Sequence, residues 1–178
     1  MSLLVCFSGQ IGSGKSSVSS AVAESLQWPR TGFGDYLRGE IKRAGGDPTS
    51  RQALQDLGQQ RIESGPEDFC RAVLAAGGFK PGDNFVIDGV RHVDIVRILA
   101  RLAPPSTPRL LFLGASEASR SARVGSRGDN VDFQRADRHL VEAELRNGLP
   151  RHADAVIDAD EPFQEVVSKC LAVIEAWR

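Results

Sequence analysis

Apolar residues gather in short runs along the chain, separated by longer stretches in which hydrophobic positions recur every three or four residues. The clearest runs are 3–8 (Leu-Leu-Val-Cys-Phe-Ser), 84–87 (Asn-Phe-Val-Ile), 109–113 (Arg-Leu-Leu-Phe-Leu) and 154–157 (Asp-Ala-Val-Ile), with a weaker one at 30–33. Runs this brief and continuous suit strands buried on both faces. Helical patterns occupy 17–26, 35–44, 50–64, 66–76, 93–103, 117–124, 131–146 and 162–177; in the first of them Val18, Val22 and Leu26 lie four residues apart. Strands alternating with helices predict an α/β fold of three layers, a five-stranded parallel sheet with helices on both faces, and they direct attention to the carboxyl ends of the strands. Residues 104–108 (Pro-Pro-Ser-Thr-Pro) are the only linker-like stretch. They are too few to separate domains and read as a stiff turn into the fourth strand, so one domain over 1–178 is expected.

The first apolar run flows into Gly9-Gln10-Ile11-Gly12-Ser13-Gly14-Lys15-Ser16, which satisfies G-x-x-x-x-G-K-S/T at every fixed position, with a strand pattern before it and a helix pattern after it. Glycines let successive N–H groups converge on phosphate oxygens with no Cβ in the way. A helix opening near Gly14 adds its positive end to the same anion. Lys15 supplies a full charge to the β- and γ-phosphates of ATP, and the Ser16 hydroxyl can ligate the Mg²⁺ that travels with them. Gly9, Gly12, Ser13, Gly14, Lys15, Ser16 and Ser17 are thus the candidate ATP-binding residues.

Composition adds little that is unusual. A formal net charge of −1 offers no global field for nucleic acid or a membrane surface, so anion specificity must come from local clusters. Cys6, Cys70 and Cys170 are odd in number and set in apolar surroundings, which predicts reduced core thiols in a cytoplasmic protein. No apolar run approaches the roughly 20 residues of a membrane span, and the first strand begins too early for a signal peptide. His92, His139 and His152 lack metal-like spacing.

Ile87-Asp88-Gly89 ends an apolar strand in an aspartate, where a phosphate-binding-loop fold positions the acid that holds Mg²⁺, usually through water; a strand-terminal Asp also forms turns. Arg91 follows in the same loop. Arg123 and Arg127 stand at i and i+4 with Arg120 one turn earlier, and Arg135 and Arg138 come later. Guanidinium forks suit phosphate oxygens, and the competing account is a solvated helix face paired with nearby carboxylates.

Taken together these motifs resemble the P-loop kinases of small metabolites, and among them the adenylate kinase-like nucleoside monophosphate kinases. Residues 31–38 (Thr-Gly-Phe-Gly-Asp-Tyr-Leu-Arg) look like that family's "TGDxLR" segment with an insertion, Asp88-Gly89-Val90-Arg91-His92 resembles its "DGFPR" loop without the proline, Arg123 to Arg127 matches the "RxxxR" at the root of a lid, and residues 153–158 are similar to the late "AD-V-I" strand. The resemblance implies that Arg38 and Arg91 contact an acceptor phosphate, that Arg123 and Arg127 act on the donor and in catalysis beside Lys15 and Asp88, and that the loop after the last strand borders the donor base. It implies an acceptor-binding helical region at about 34–78 and a short helical lid at about 120–140, without zinc. The segment 50–58 has no counterpart in ordinary adenylate kinases but is similar to segments in deoxynucleoside monophosphate kinases, which adds Arg51 to the acceptor candidates.

Two chemistries remain open at this stage. A nucleoside monophosphate brings an oxygen already anionic, whereas a hydroxyl acceptor, as in dephospho-coenzyme A, needs a carboxylate beside it. Asp35 would be that base, or with a phosphate acceptor it would cap its helix or orient Arg38. Tyr36 could stack on an acceptor base or fill the sheet–helix interface. A nucleotide-binding regulatory ATPase is the third alternative. The expected partners are small-molecule nucleotides, with no nucleic acid and no membrane, for a monomer or homodimer.

Overall fold

The structure, a computed structural model, describes residues 1–126 and 145–178. Its elements in chain order are β1 (Leu3–Ser8), α1 (Lys15–Leu26), β2 (Arg30–Gly32), α2 (Phe33–Arg43), α3 (Arg51–Ser64), α4 (Pro66–Ala76), β3 (Phe85–Val90), α5 (Val93–Leu102), β4 (Thr107–Gly114), α6 (Glu117–Ser126), α7 (Leu149–His152), β5 (Ala155–Asp158) and α8 (Phe163–Ala176). The helix expected over 131–146, apart from its last two residues, and most of the lid lie outside the described residues.

The five strands form one parallel sheet in the order β2-β3-β1-β4-β5. Strand alternation sends successive β1 side chains to opposite faces. Leu4 and Cys6 join a core with Phe33, Phe69, Val73, Ile95 and Leu99. Leu3, Val5 and Phe7 join another with Val18, Val22, Val166, Cys170 and Ile174. Helices α2, α4 and α5 therefore cover one face while α1 and α8 cover the other, which is why β1, buried throughout, reads as an unbroken apolar run. The neighbours of β1 are β3 and β4, so the chain departs from its carboxyl end at the point where strand order reverses, the crevice where open α/β sheets bind ligands.

Some boundaries differ from the sequence expectation for local reasons. Helix α2 begins at Phe33 rather than near Asp35, because β2 stops at Gly32 and the Phe33 ring turns inward to meet Phe69 edge-on at 5.2 Å between centroids. Strand β4 starts at Thr107 and takes in Pro108. The Leu110 N–H and C=O both bond Asp154, on the β5 side. Period-two alternation turns Pro108 to that same side, before β5 begins pairing at Leu111, so the missing N–H costs the ladder nothing.

Candidate functional site

At the end of β1 the Ser8 hydroxyl donates to the Val90 carbonyl at 2.6 Å, fastening the root of the loop to the end of β3. In the loop, Gly12 (φ +78°) and Gly14 (φ +86°) both occupy left-handed backbone. Gly12 packs so closely on α6 that a Cβ there would lie 2.5 Å from the Arg120 carbonyl oxygen. Gly14 is the N-cap of α1, so Lys15 and Ser16 belong to its first turn, two residues earlier than the periodicity implied. The amide N–H groups of that turn have no acceptor within the helix and present its positive end to whatever fills the crevice.

Helix α6 supports the loop from behind. Arg120, almost wholly buried, donates from Nη1 to the Ile11 carbonyl at 3.2 Å. Arg123 donates to the Ser13 carbonyl at 3.2 Å, and also to the carbonyls of Gly12 and, beyond β5, Ala159. The loop after β5 is tied to the same helix: the Asp160 carboxylate accepts the Ser116 N–H, and hydrogen bonds from Ser119 and Ser116 hold its carboxyl below the usual range. Arg127, Arg135 and Arg138 lie outside the described residues.

In front of the loop opens a polar cleft. Its walls carry Gly12, Gly14, Lys15 and Ser16 from the loop and α1, Asp35 and Arg38 from α2, Arg51 from α3, and Asp88 and Arg91 from β3 and its following loop. Four cations against two carboxylates, among the described lining residues, leave a surplus suited to phosphate oxygens. Gly34, Arg38, Arg51, Gly89 and Arg91 also line a second cavity, whose walls are the apolar side chains Phe33, Leu37, Leu54, Ile62, Phe69 and Ile95, with Gln55, Gln59 and His92 among the polar ones. The arginines thus stand at the junction of a polar chamber and an apolar one.

Asp35 accepts Arg38 on Oδ1 at 3.1 Å and Arg30 on Oδ2 at 3.3 Å. Asp88 accepts Arg30 on Oδ2 at 2.9 Å, and its Oδ1 is buried with no hydrogen-bond partner among the described residues. Tyr36 lines neither cavity; its ring packs on Phe69 and its hydroxyl meets Glu40 at 3.4 Å. Gly9 and the buried Ser13 belong to the loop, while the exposed Ser17 is outside the cleft lining. Sequence reasoning missed Arg30 as a site residue and took most serines of the first helix for solvated or capping groups. Ser19 is fully buried and accepts from the Arg30 side chain. The available signal was a charged residue at the head of a short strand.

No protein-family model matches the chain. Among solved structures it is similar in fold to a shikimate kinase from Bacteroides thetaiotaomicron (TM-score 0.63, 16% identity, 97% of this chain and 98% of that one) and a gluconokinase from Sinorhizobium meliloti (TM-score 0.61, 23% identity, 96% and 90%). The architecture is the P-loop kinase fold. Two sequence relatives are UPF0200 proteins: one from Aeropyrum pernix is 36% identical over 99 residues, 56% of this chain and about half (52%) of that protein. Another, from Pyrobaculum aerophilum, is 30% identical over 159 residues, 88% of this chain and 84% of its own length. With identity sustained over most of both proteins, the chain is a member of the UPF0200 family.

Proposed function

We propose that this protein transfers the terminal phosphoryl group of ATP to a small phosphorylated acceptor, a nucleoside or deoxynucleoside monophosphate. The observation that carries the reading is the pair of adjoining cavities sharing Arg38, Arg51 and Arg91. The polar chamber, with the glycine loop, the α1 amino end and Lys15, suits a polyphosphate; the apolar chamber suits a flat, weakly polar body; and the shared arginines suit a phosphate held between them. Transfer through a loose transition state needs alignment and charge neutralisation more than covalent chemistry, and this inventory supplies both.

Mg²⁺ fits the same cleft, because Ser16 lines it beside Asp88, whose buried Oδ1 is without a hydrogen-bond partner among the described residues. Ser16 would hold the ion directly and Asp88 through water, and the ion would supply neutralising charge between the β- and γ-phosphates. Lys15 would grip the donor phosphates while Arg38 and Arg91 orient the acceptor. Arg123, committed to loop carbonyls, would keep the cradle in shape. Both Asp35 oxygens are engaged by arginines, which favours an orienting role over a general base and so favours a phosphate acceptor over a hydroxyl.

ADP release measured across nucleoside and deoxynucleoside monophosphates tests this, with turnover of at least one of them expected. Turnover of dephospho-coenzyme A alone would move the reading to a hydroxyl acceptor. Hydrolysis indifferent to every acceptor would move it to a nucleotide-binding ATPase.

A further inference from the structure

We propose that Arg30 is a positioning residue that aims the metal-side carboxylate and the acceptor arginine together. The inference rests on the phosphotransfer reading of this cleft and adds to it a residue that lines neither cavity. Arg30 opens β2, and its side chain is only 19% exposed. All three guanidinium nitrogens have partners: Nε donates to Ser19 Oγ at 3.0 Å, Nη1 to Asp35 Oδ2 at 3.3 Å and Nη2 to Asp88 Oδ2 at 2.9 Å. Ser19 in turn donates to the Ser16 carbonyl at 3.0 Å. One planar group therefore joins α1, the head of α2 and the end of β3, and through Ser19 it reaches the first turn of α1 at the Ser16 carbonyl.

The consequence for Asp88 is directional. With Oδ2 tied to Arg30, the carboxylate cannot rotate about its last torsion without breaking a charge-assisted hydrogen bond in a nearly dry setting, so Oδ1 is the oxygen left for a water on a divalent cation. Asp35 is handled likewise: Arg30 takes one oxygen and the other holds Arg38 at the mouth of the apolar chamber. A lysine at position 30 would carry the same charge but, as a point donor on a flexible stem, could not hold three partners in one plane. A tie that merely secured the edge strand would govern stability alone, whereas a positioning fork governs cation binding in a protein that remains folded.

The test uses the full chain with Mn²⁺ as probe and a non-hydrolysable ATP analogue, bound Mn²⁺ being read by electron paramagnetic resonance and folding by circular dichroism. Arg30→Lys is expected to weaken Mn²⁺ binding in the ternary complex about tenfold, as loss of an outer-sphere partner does elsewhere. Asp88→Asn should weaken it by itself, and the double variant should bind no more weakly than Asp88→Asn, because Arg30 acts through that carboxylate. Mn²⁺ binding unchanged in Arg30→Lys, or losses that add in full in the double variant, would overturn the inference. Should Arg30→Lys not fold, Ser19→Ala removes only the Nε anchor and should still weaken Mn²⁺ binding; a silent Ser19→Ala would then count against it. Absence of Mn²⁺–nucleotide binding in the unaltered protein would bring down the phosphotransfer reading and this inference with it, while normal binding beside a silent Arg30 variant removes the inference alone.

Discussion

At Gly12 the requirements of backbone and neighbour coincide. Its φ of +78° lies where L-residues are strained by about 1–2 kcal/mol, and an added Cβ would meet the Arg120 carbonyl oxygen, a backbone atom unable to swing aside. Gly12→Ala should therefore reshape the loop and abolish ATP binding while the rest of the protein stays folded, as titration calorimetry beside a thermal melt would register. The two charges on either side of the proposed transfer should behave differently from each other. Lys15→Met is expected to remove activity altogether. Arg38→Ala, which deletes a charged donor at the junction of the two chambers, should raise the acceptor KM or lower kcat about tenfold or more with ATP affinity nearly intact; a loss of ATP affinity instead would mean that Arg38 serves the donor. Lys15, Ser16 and Asp88 could be picked out as cleft residues from motif and position, Arg91 from its place in the loop after Asp88, and Arg38 and Arg51 only through the resemblance to nucleoside monophosphate kinases. Arg30 carried only the faint signal of a charge at the head of a short strand, since its partners Ser19, Asp35 and Asp88 come from segments up to 58 residues away.

Among the elements, those whose burial is most uniform were the most legible. Strands β1, β3 and β4 lie inside the sheet and announce themselves as apolar runs, whereas β2 is a three-residue edge whose continuation, Phe33, looks like strand in sequence but serves as the buried first residue of a helix. The apolar chamber was not legible either. Helix α3 contributes Leu54 and Ile62 to it yet buries no residue fully, so its pattern reads as an ordinary surface helix. Packing between elements is also close where α4 ends. A Cβ on Gly77 would lie 2.5 Å from Thr31 Cβ and 2.8 Å from Phe85 Cζ, and Thr31 is itself held by the Val73 carbonyl. Gly77→Ala should therefore overpack the junction of α4 with β2 and β3 and cost about 1–3 kcal/mol, seen as a lower urea midpoint with unchanged m.

Across the whole molecule the three thiols report on how dry the two cores are. Cys6 and Cys70 lie on one side of the sheet and Cys170 on the other, and all are buried. Burial, which disfavours the thiolate, pushes Cys70 and Cys170 up to about 12 and Cys6 further still, from an ordinary value of 9.0. The sign of the effect on stability follows from proton counts. Below about 9 the thiols are protonated in folded and unfolded chains alike, and the stability linked to them is fully present; between about 9 and about 12 the unfolded chain has released protons that the folded one retains, so unfolding gains with every rise in pH and that stability is lost. Other groups contribute to the pH dependence of stability as well, so the informative quantity is a difference of slopes. Cys70→Ala should give a plot of unfolding free energy against pH that falls less steeply across this window by the contribution of one proton, about 1.4 kcal/mol per pH unit where the difference is complete, whatever the substitution does to stability at neutral pH. Identical slopes in the two proteins would mean that the Cys70 thiol ionises alike in both states, and that the core between α4 and the sheet admits water.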